Sequence, residues 1–221
     1  DTGNTDATNE IAKTHGATIL SLRWDGYAAT KNNAATFAKN NWILSIDADE
    51  VIQTSLQKSI AAAFAISPNT ETVFQLQRKM VIGHTTLHFG SVYKEFRARI
   101  YHRDFAHWNN FIVHEALVYR SKPKLFSLTG FLLHYSYQNQ HEHQERLQHY
   151  ATLSAMQMYQ NGKKSNLFTP YWSAGFYFIK NFIAKGGFLD GIAGFQFVCH
   201  ETFYVYNKYK QLNKLSAEKM L

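Results

Sequence analysis

Two carboxylates one residue apart close a short apolar run in this chain: Trp42-Ile43-Leu44-Ser45-Ile46 leads straight into Asp47-Ala48-Asp49-Glu50. The run reads as a buried strand, and ligands of α/β sheets bind outside the carboxyl ends of strands. In a turn, the Asp-x-Asp spacing can aim two hard oxygen ligands at one cation. Mg²⁺ or Mn²⁺ held this way keeps open positions for phosphate oxygens. The plainer reading is that one Asp caps the following helix and the others are solvated. Three acids after an apolar strand weigh toward metal-diphosphate binding.

Other chemistry-bearing residues are spread more widely. Arg97 and Arg99 share a strand face because the side-chain period of a strand is two. With Arg103 they could grip a diphosphate or a phosphorylated acceptor, or they could line a solvated face. His134 follows Phe131-Leu132-Leu133; it reads as a core histidine or, less commonly, an extra metal ligand. His141-Glu142-His143 with His149 looks metal-like, but adjacent positions do not share a helix face. That cluster reads as a polar helix start.

The elements that must position these groups alternate in the first half. Thr2–Asp6 is turn and N-cap chemistry, and a helix runs from Ala7 to a C-cap at His15-Gly16. Ala17–Leu22 reads as a strand, Tyr27–Asn40 as a helix, Trp42–Ile46 as a strand and Ser55–Ile66 as a helix ended by Ser67-Pro68-Asn69. Such alternation predicts an α/β layered fold with a parallel sheet. Thr72–Ile82, Glu95–Tyr101 and Leu125–Tyr135 are strand-like and would add an antiparallel edge. Gln138–Tyr159 is a polar helix with Leu147, Ala151 and Ala155 on one face. Tyr171–Ile183 and Phe188–Tyr209 are aromatic-rich helices separated by Lys185-Gly186-Gly187. The opening Asp1-Thr2-Gly3-Asn4 looks like the loop after a strand, so an upstream strand and helix are expected to precede this chain.

Composition narrows the class. The chain has 221 residues, 45% of them apolar and 18% charged, enough for a sizeable core and against general disorder. The single Cys199 excludes an internal disulfide and a cysteine-based zinc cluster, and a reducing, cytoplasmic setting is expected. The net charge of +7 is uneven: residues 1–115 hold 11 basic and 11 acidic side chains, residues 116–221 hold 12 and 5. A basic, aromatic second half predicts an anionic partner. Amphipathic helices of that kind suit an anionic membrane surface, or the aromatics simply pack a helical subdomain. No recognition-helix or RNA-binding motif accompanies them, so no nucleic-acid partner is expected.

The order Asp1-Thr2-Gly3-Asn4-Thr5-Asp6, Lys31-Asn32-Asn33-Ala34 and Trp42-Ile43-Leu44-Ser45-Ile46-Asp47-Ala48-Asp49-Glu50 resembles family 2 glycosyltransferases of the GT-A fold. The combination is most similar to the bacterial branch that adds sugars to the lipopolysaccharide inner core. The resemblance extends through Val113-His114-Glu115 and Gly187-Phe188-Leu189-Asp190-Gly191. It departs where the first β-strand of the family is absent and where the opening loop reads Thr-Gly-Asn-Thr rather than Ser-Gly-Ser-Thr.

The resemblance implies an α/β GT-A mixed sheet flanked by helices, with a C-terminal helical, aromatic-rich appendage. Residues 1–137 would be the transferase domain, N-terminally incomplete, and 138–221 the acceptor and membrane-proximal region. It implies an inverting transfer of a hexose, with glucose the first candidate, from a UDP-sugar to a lipid-linked core saccharide at the inner face of the bacterial inner membrane. Asp1 would accept a hydrogen bond from the nucleotide base. Lys31 would offset diphosphate charge. Asp49 would ligate Mn²⁺ or Mg²⁺ directly, and Asp47 would contact the ribose or a metal-bound water. Glu115 would be the base that deprotonates the acceptor hydroxyl. Two other classes remain: a metal-dependent phosphoester hydrolase using Asp47 and Asp49, and a truncated relic that no longer binds nucleotide.

Overall fold

The computed structural model describes residues 7–109, 115–137 and 140–218. The elements in chain order are helices α1 (Thr8–Thr14) and α2 (Tyr27–Thr36), strands β1 (Trp42–Leu44) and β2 (Glu50–Ile52), and helix α3 (Thr54–Ala65). Then come β3 (Thr72–Ile82), β4 (Thr85–Thr86), β5 (Glu95–His102), β6 (Ala106–Trp108), β7 (Leu117–Tyr119) and β8 (Lys124–Tyr137). The last segment is helical: α4 (Gln140–Gln160), α5 (Thr169–Phe178), a π turn (Ile179–Ala184), a 3₁₀ turn (Gly187–Asp190) and α6 (Gly191–Glu218).

Five strands form a sheet in the order β1-β5-β3-β8-β2, with β4 paired to β3, and β6 and β7 make a separate hairpin. A parallel partner was expected for the Trp42–Ile46 strand; β1 instead runs antiparallel to β5, with Leu44 opposite Ile100. β2, which the sequence did not reveal, runs antiparallel to β8 with Glu50 opposite His134. The strand expected at Ala17–Leu22 does not form. A β-branched run becomes a strand only where a second strand completes its ladder, and Ala17, Thr18 and Ser21 stay exposed.

The chain divides into two compact units. The first comprises residues 1–47, 58–76 and 97–128. Its core is Ala28, Val73, Tyr101, Phe105, Ala106 and Trp108. Each apolar group removed from water there contributes at about 25 cal/mol per Å². Trp42 packs edge-on against Phe64 and His102.

The second unit comprises residues 48–57, 77–96 and 129–221. Met80, Ile82, Leu87, Val92 and Phe197 form one of its clusters. Helix α6 packs on α4 and α5. Leu147, Ala151 and Ala155, predicted to share one face of α4, are all buried. Small residues at two of those positions let the helices approach closely. Strand β8 passes the first turn of α3 at Gly130 (φ +101°), where a Cβ would strike the backbone of Leu56. Only glycine meets both demands.

Candidate functional site

In the first unit, three elements converge on Asp47. The β1–β5 ladder continues one step past Leu44, with Ser45 N–H donating to Arg99 O at 2.9 Å. That register sets Arg99 beside the end of β1, and its Nη2 donates to Asp47 Oδ2 at 2.9 Å. Lys31 on α2 places Nζ 2.9 Å from Asp47 Oδ1. The same Nζ lies 3.1 Å from Glu115 Oε1.

Lys31 is held rather than free to swing. Its Nζ sits 4.7 Å from the centroid of the Trp108 ring, a cation–π contact. Its neighbour Asn32 clasps the Trp108 backbone, donating to Trp108 O and accepting from Trp108 N–H, both at 2.9 Å. The hairpin ladder pairs Trp108 with Leu117. It continues where Asn109 N–H donates to Ala116 O at 2.9 Å. Glu115 therefore follows directly from the hairpin that carries Trp108.

Burial alone would push the Asp47 carboxyl up, but the Arg99 and Lys31 charges outweigh it and hold the group below its ordinary range. Two cations on one carboxylate with a second carboxylate alongside leave the cluster near neutral.

In the second unit, Asp49 and His134 meet. Tyr135 N–H donates to Asp49 O at 2.8 Å, extending the β2–β8 ladder by one step. The His134 ring then reaches back, with Nε2 3.3 Å from Asp49 Oδ2. Burial and the nearby Arg78 charge push His134 down, against the opposing pull of Asp49, Glu50 and Glu95. The imidazole is thereby favoured in its neutral form, which can ligate a metal through nitrogen. Glu50, the third acid of the motif, points inward. Its carboxylate is fully buried and lies 3.9 Å from Arg78 Nη1, and Arg78 also binds Glu95 at 2.7 Å.

A carboxylate oxygen and a neutral imidazole fit a divalent cation that takes its remaining ligands from phosphate and water. Among the described residues no group of three or more His, Cys, Asp or Glu side chains is arranged around one ion position.

The other sequence candidates fall as follows. Asp1 and His114 lie outside the described residues. Arg97 is exposed while Arg99 is buried. Arg103 is turned to the backbone of α2. Its guanidinium donates to the carbonyls of Ala35, Thr36, Ala38 and Asn40 and so caps the C-terminal end of α2. His143 is not part of a polar surface. It is fully buried, stacked on Phe197 with centroids 5.1 Å apart, and 3.3 Å from Glu201 Oε1.

Sequence reasoning missed Trp108 and Asn32 as the parts that fix Lys31. The dipeptide Lys31-Asn32 was visible, but nothing local joins it to a hairpin so distant in the chain.

Comparison with known proteins identifies the family. Residues 1–124 match the family described as glycosyl transferase family 2. An uncharacterised glycosyltransferase of Rickettsia typhi is 28% identical over 97% of this chain and 75% of its own length. A counterpart from Rickettsia conorii is 27% identical over 97% of this chain and 78% of its own. The lipopolysaccharide core biosynthesis glycosyltransferase LpsC of Rhizobium meliloti is 25% identical over 88% of this chain and 74% of its own. The chain therefore belongs to glycosyl transferase family 2, and its mixed sheet flanked by helices is the GT-A fold of that family.

Proposed function

We propose that this glycosyltransferase moves a hexose, glucose first among the candidates, from a UDP-sugar to a hydroxyl of a lipopolysaccharide core saccharide, with inversion at the anomeric carbon. The likeness to LpsC supports the class of acceptor. The observation that carries the reading is that each Asp of the Asp47-Ala48-Asp49 motif has partners suited to its part, Lys31, Arg99 and Glu115 around Asp47 in the first unit and His134 beside Asp49 in the second.

Each residue then has a part. Asp49, with His134 beside it, would hold Mn²⁺ or Mg²⁺, and Asp47 would meet the ribose or a water on that ion. When bound, the cation would neutralise the diphosphate as it departs. Asp1 accepts a hydrogen bond from the uracil. Lys31 offsets phosphate charge, and its ammonium also orients Glu115. Glu115 takes the proton of the acceptor hydroxyl. The hydroxyl oxygen bonds to the anomeric carbon while the bond to UDP breaks, and UDP leaves with the electron pair. Residues 1–137 would serve the donor and 138–221 the acceptor.

We place the protein on the cytoplasmic face of a bacterial inner membrane, where a lipid-linked acceptor of this kind is found. No single helix among the described residues is long and apolar enough to cross a membrane.

The test is turnover of a panel of UDP-hexoses with core saccharide acceptors, with product anomers read by NMR. The expected result is UDP release coupled to a product of inverted configuration. UDP-sugar cleavage to free sugar, with no glycoside formed on any acceptor, would count against transfer and favour hydrolysis.

A further inference from the structure

Helix α5 and the π turn are built inside out. Phe168, Trp172, Phe176, Ile179 and Ile183, spaced by three or four residues, share one helical face and all are exposed, Trp172 at 80%. The opposite face buries small or polar residues, Pro170, Ala174 and Asn181. A helix packed onto a water-soluble core shows the reverse. The pattern continues into α6, where Ile192 is 78% exposed and Phe195 is 48% exposed. Phe182 joins the two faces, with its ring centroid 5.6 Å from Phe195 and 6.1 Å from Phe188.

The bend between these helices is fixed. The segments Thr169–Ala184 and Gly187–Ala217 meet at 70° and together have the length and apolar composition of a broken membrane span. Asp190 accepts hydrogen bonds from the backbone N–H groups of His88 (2.9 Å) and Phe89 (2.8 Å), which ties the elbow to its own unit. A Cβ on Gly194 would collide with the Gly187 carbonyl, so the turns at the elbow are closely packed.

Charge names the occupant. Between Asn161 and Leu189 the chain carries Lys163, Lys164, Lys180 and Lys185 and no acid. Lys180 is exposed beside Ile179. Large apolar side chains in a lysine-only stretch match the two layers of an anionic leaflet, acyl chains below and phosphates above.

We propose that the face of α5, the π turn and the start of α6 inserts into one leaflet of an anionic bilayer, with Trp172 and Phe176 in the acyl region and the lysines at the phosphates. This deepens the reading of a lipid-linked acceptor, because it would dock the protein where such an acceptor lies.

The test uses the whole chain with vesicles of phosphatidylethanolamine and phosphatidylglycerol at roughly three to one, against neutral phosphatidylcholine. Co-sedimentation measures binding, and lipids brominated on the acyl chain report depth by quenching tryptophan. The expected result is binding to the anionic vesicles that weakens with salt, and quenching that a Trp172→Phe variant loses while still binding. Phe176→Glu with Ile179→Glu should weaken partition at least about tenfold. Lys163→Gln with Lys164→Gln should weaken it several-fold and flatten the salt dependence. Failure of the unaltered protein to bind anionic vesicles, or binding without quenching of Trp172, would overturn the proposal without needing any variant to fold. So would a dimer in sedimentation equilibrium that the glutamate variant splits and vesicles do not compete away. UDP binding measured on the same samples keeps a failed membrane face distinct from a failed transferase.

Discussion

Asp47 is paired with two cations, Lys31 and Arg99. Burial works against its charge, yet Arg99 and Lys31 keep its carboxyl below the usual value of 3.8. A carboxyl lowered on folding stabilises the native state at pH values above 3.8, and that contribution disappears as pH falls through the folded value. Asp47→Asn is therefore expected to lower the thermal midpoint at pH 7. The side chain is 35% exposed, so solvent screening limits the effect to about 1 kcal/mol or less. Melting curves of both proteins from pH 7 down to pH 3 should show the gap closing in the acid range. A gap that is constant with pH would mean the ion pairs contribute nothing. The sequence exposed Asp47 and Asp49 because acids directly after an apolar strand stand out. It could not show that Glu50 turns inward to Arg78, since all three acids look alike before the β2–β8 register is known.

At the level of elements, the β1–β5 pairing and the end of α2 set the positions of the charged groups. Arg103 holds four carbonyls around the last turn of α2 and the residues after it, an arrangement of charge-assisted hydrogen bonds. Arg103→Ala should cost about 2 kcal/mol in urea denaturation, because several carbonyls lose a charged donor together. Arg103→Lys should recover only part of that, since an ammonium cannot spread its donors over the same fork. Equal stability of Arg103→Ala and the parent would remove the capping role.

Long elements were legible: β3 coincides with the predicted Thr72–Ile82, and α3 and α4 differ from their predicted ranges by a residue or two at the ends. Their apolar periods repeat often enough to read. β2, β6 and β7 have three residues each, too few for any period. Ala17–Leu22 shows the converse, a strand-like composition that forms no strand. The strand expected at Glu95–Tyr101 runs one residue further, to His102, and Arg103 lies just beyond it.

For the whole molecule, the family and the fold class were legible from the order of short motifs, and the match over residues 1–124 bears them out. The two compact units were not. The chain passes between them at Asp47 and Ala48, inside the most informative motif, and returns several times. Division by composition sees only the basic, aromatic second half. Contacts made by distant residues decide the units, as Lys31 and Glu115 decide the cluster at Asp47.

The proposed transfer depends on a metal ion held at Asp49. Calorimetry of UDP binding to this chain and to Asp49→Ala, with and without Mn²⁺, tests it most directly. The expected result is binding that Mn²⁺ strengthens and that Asp49→Ala weakens by at least about the tenfold seen when groups supporting a metal site are lost. UDP binding of equal strength in both proteins, indifferent to Mn²⁺, would contradict it.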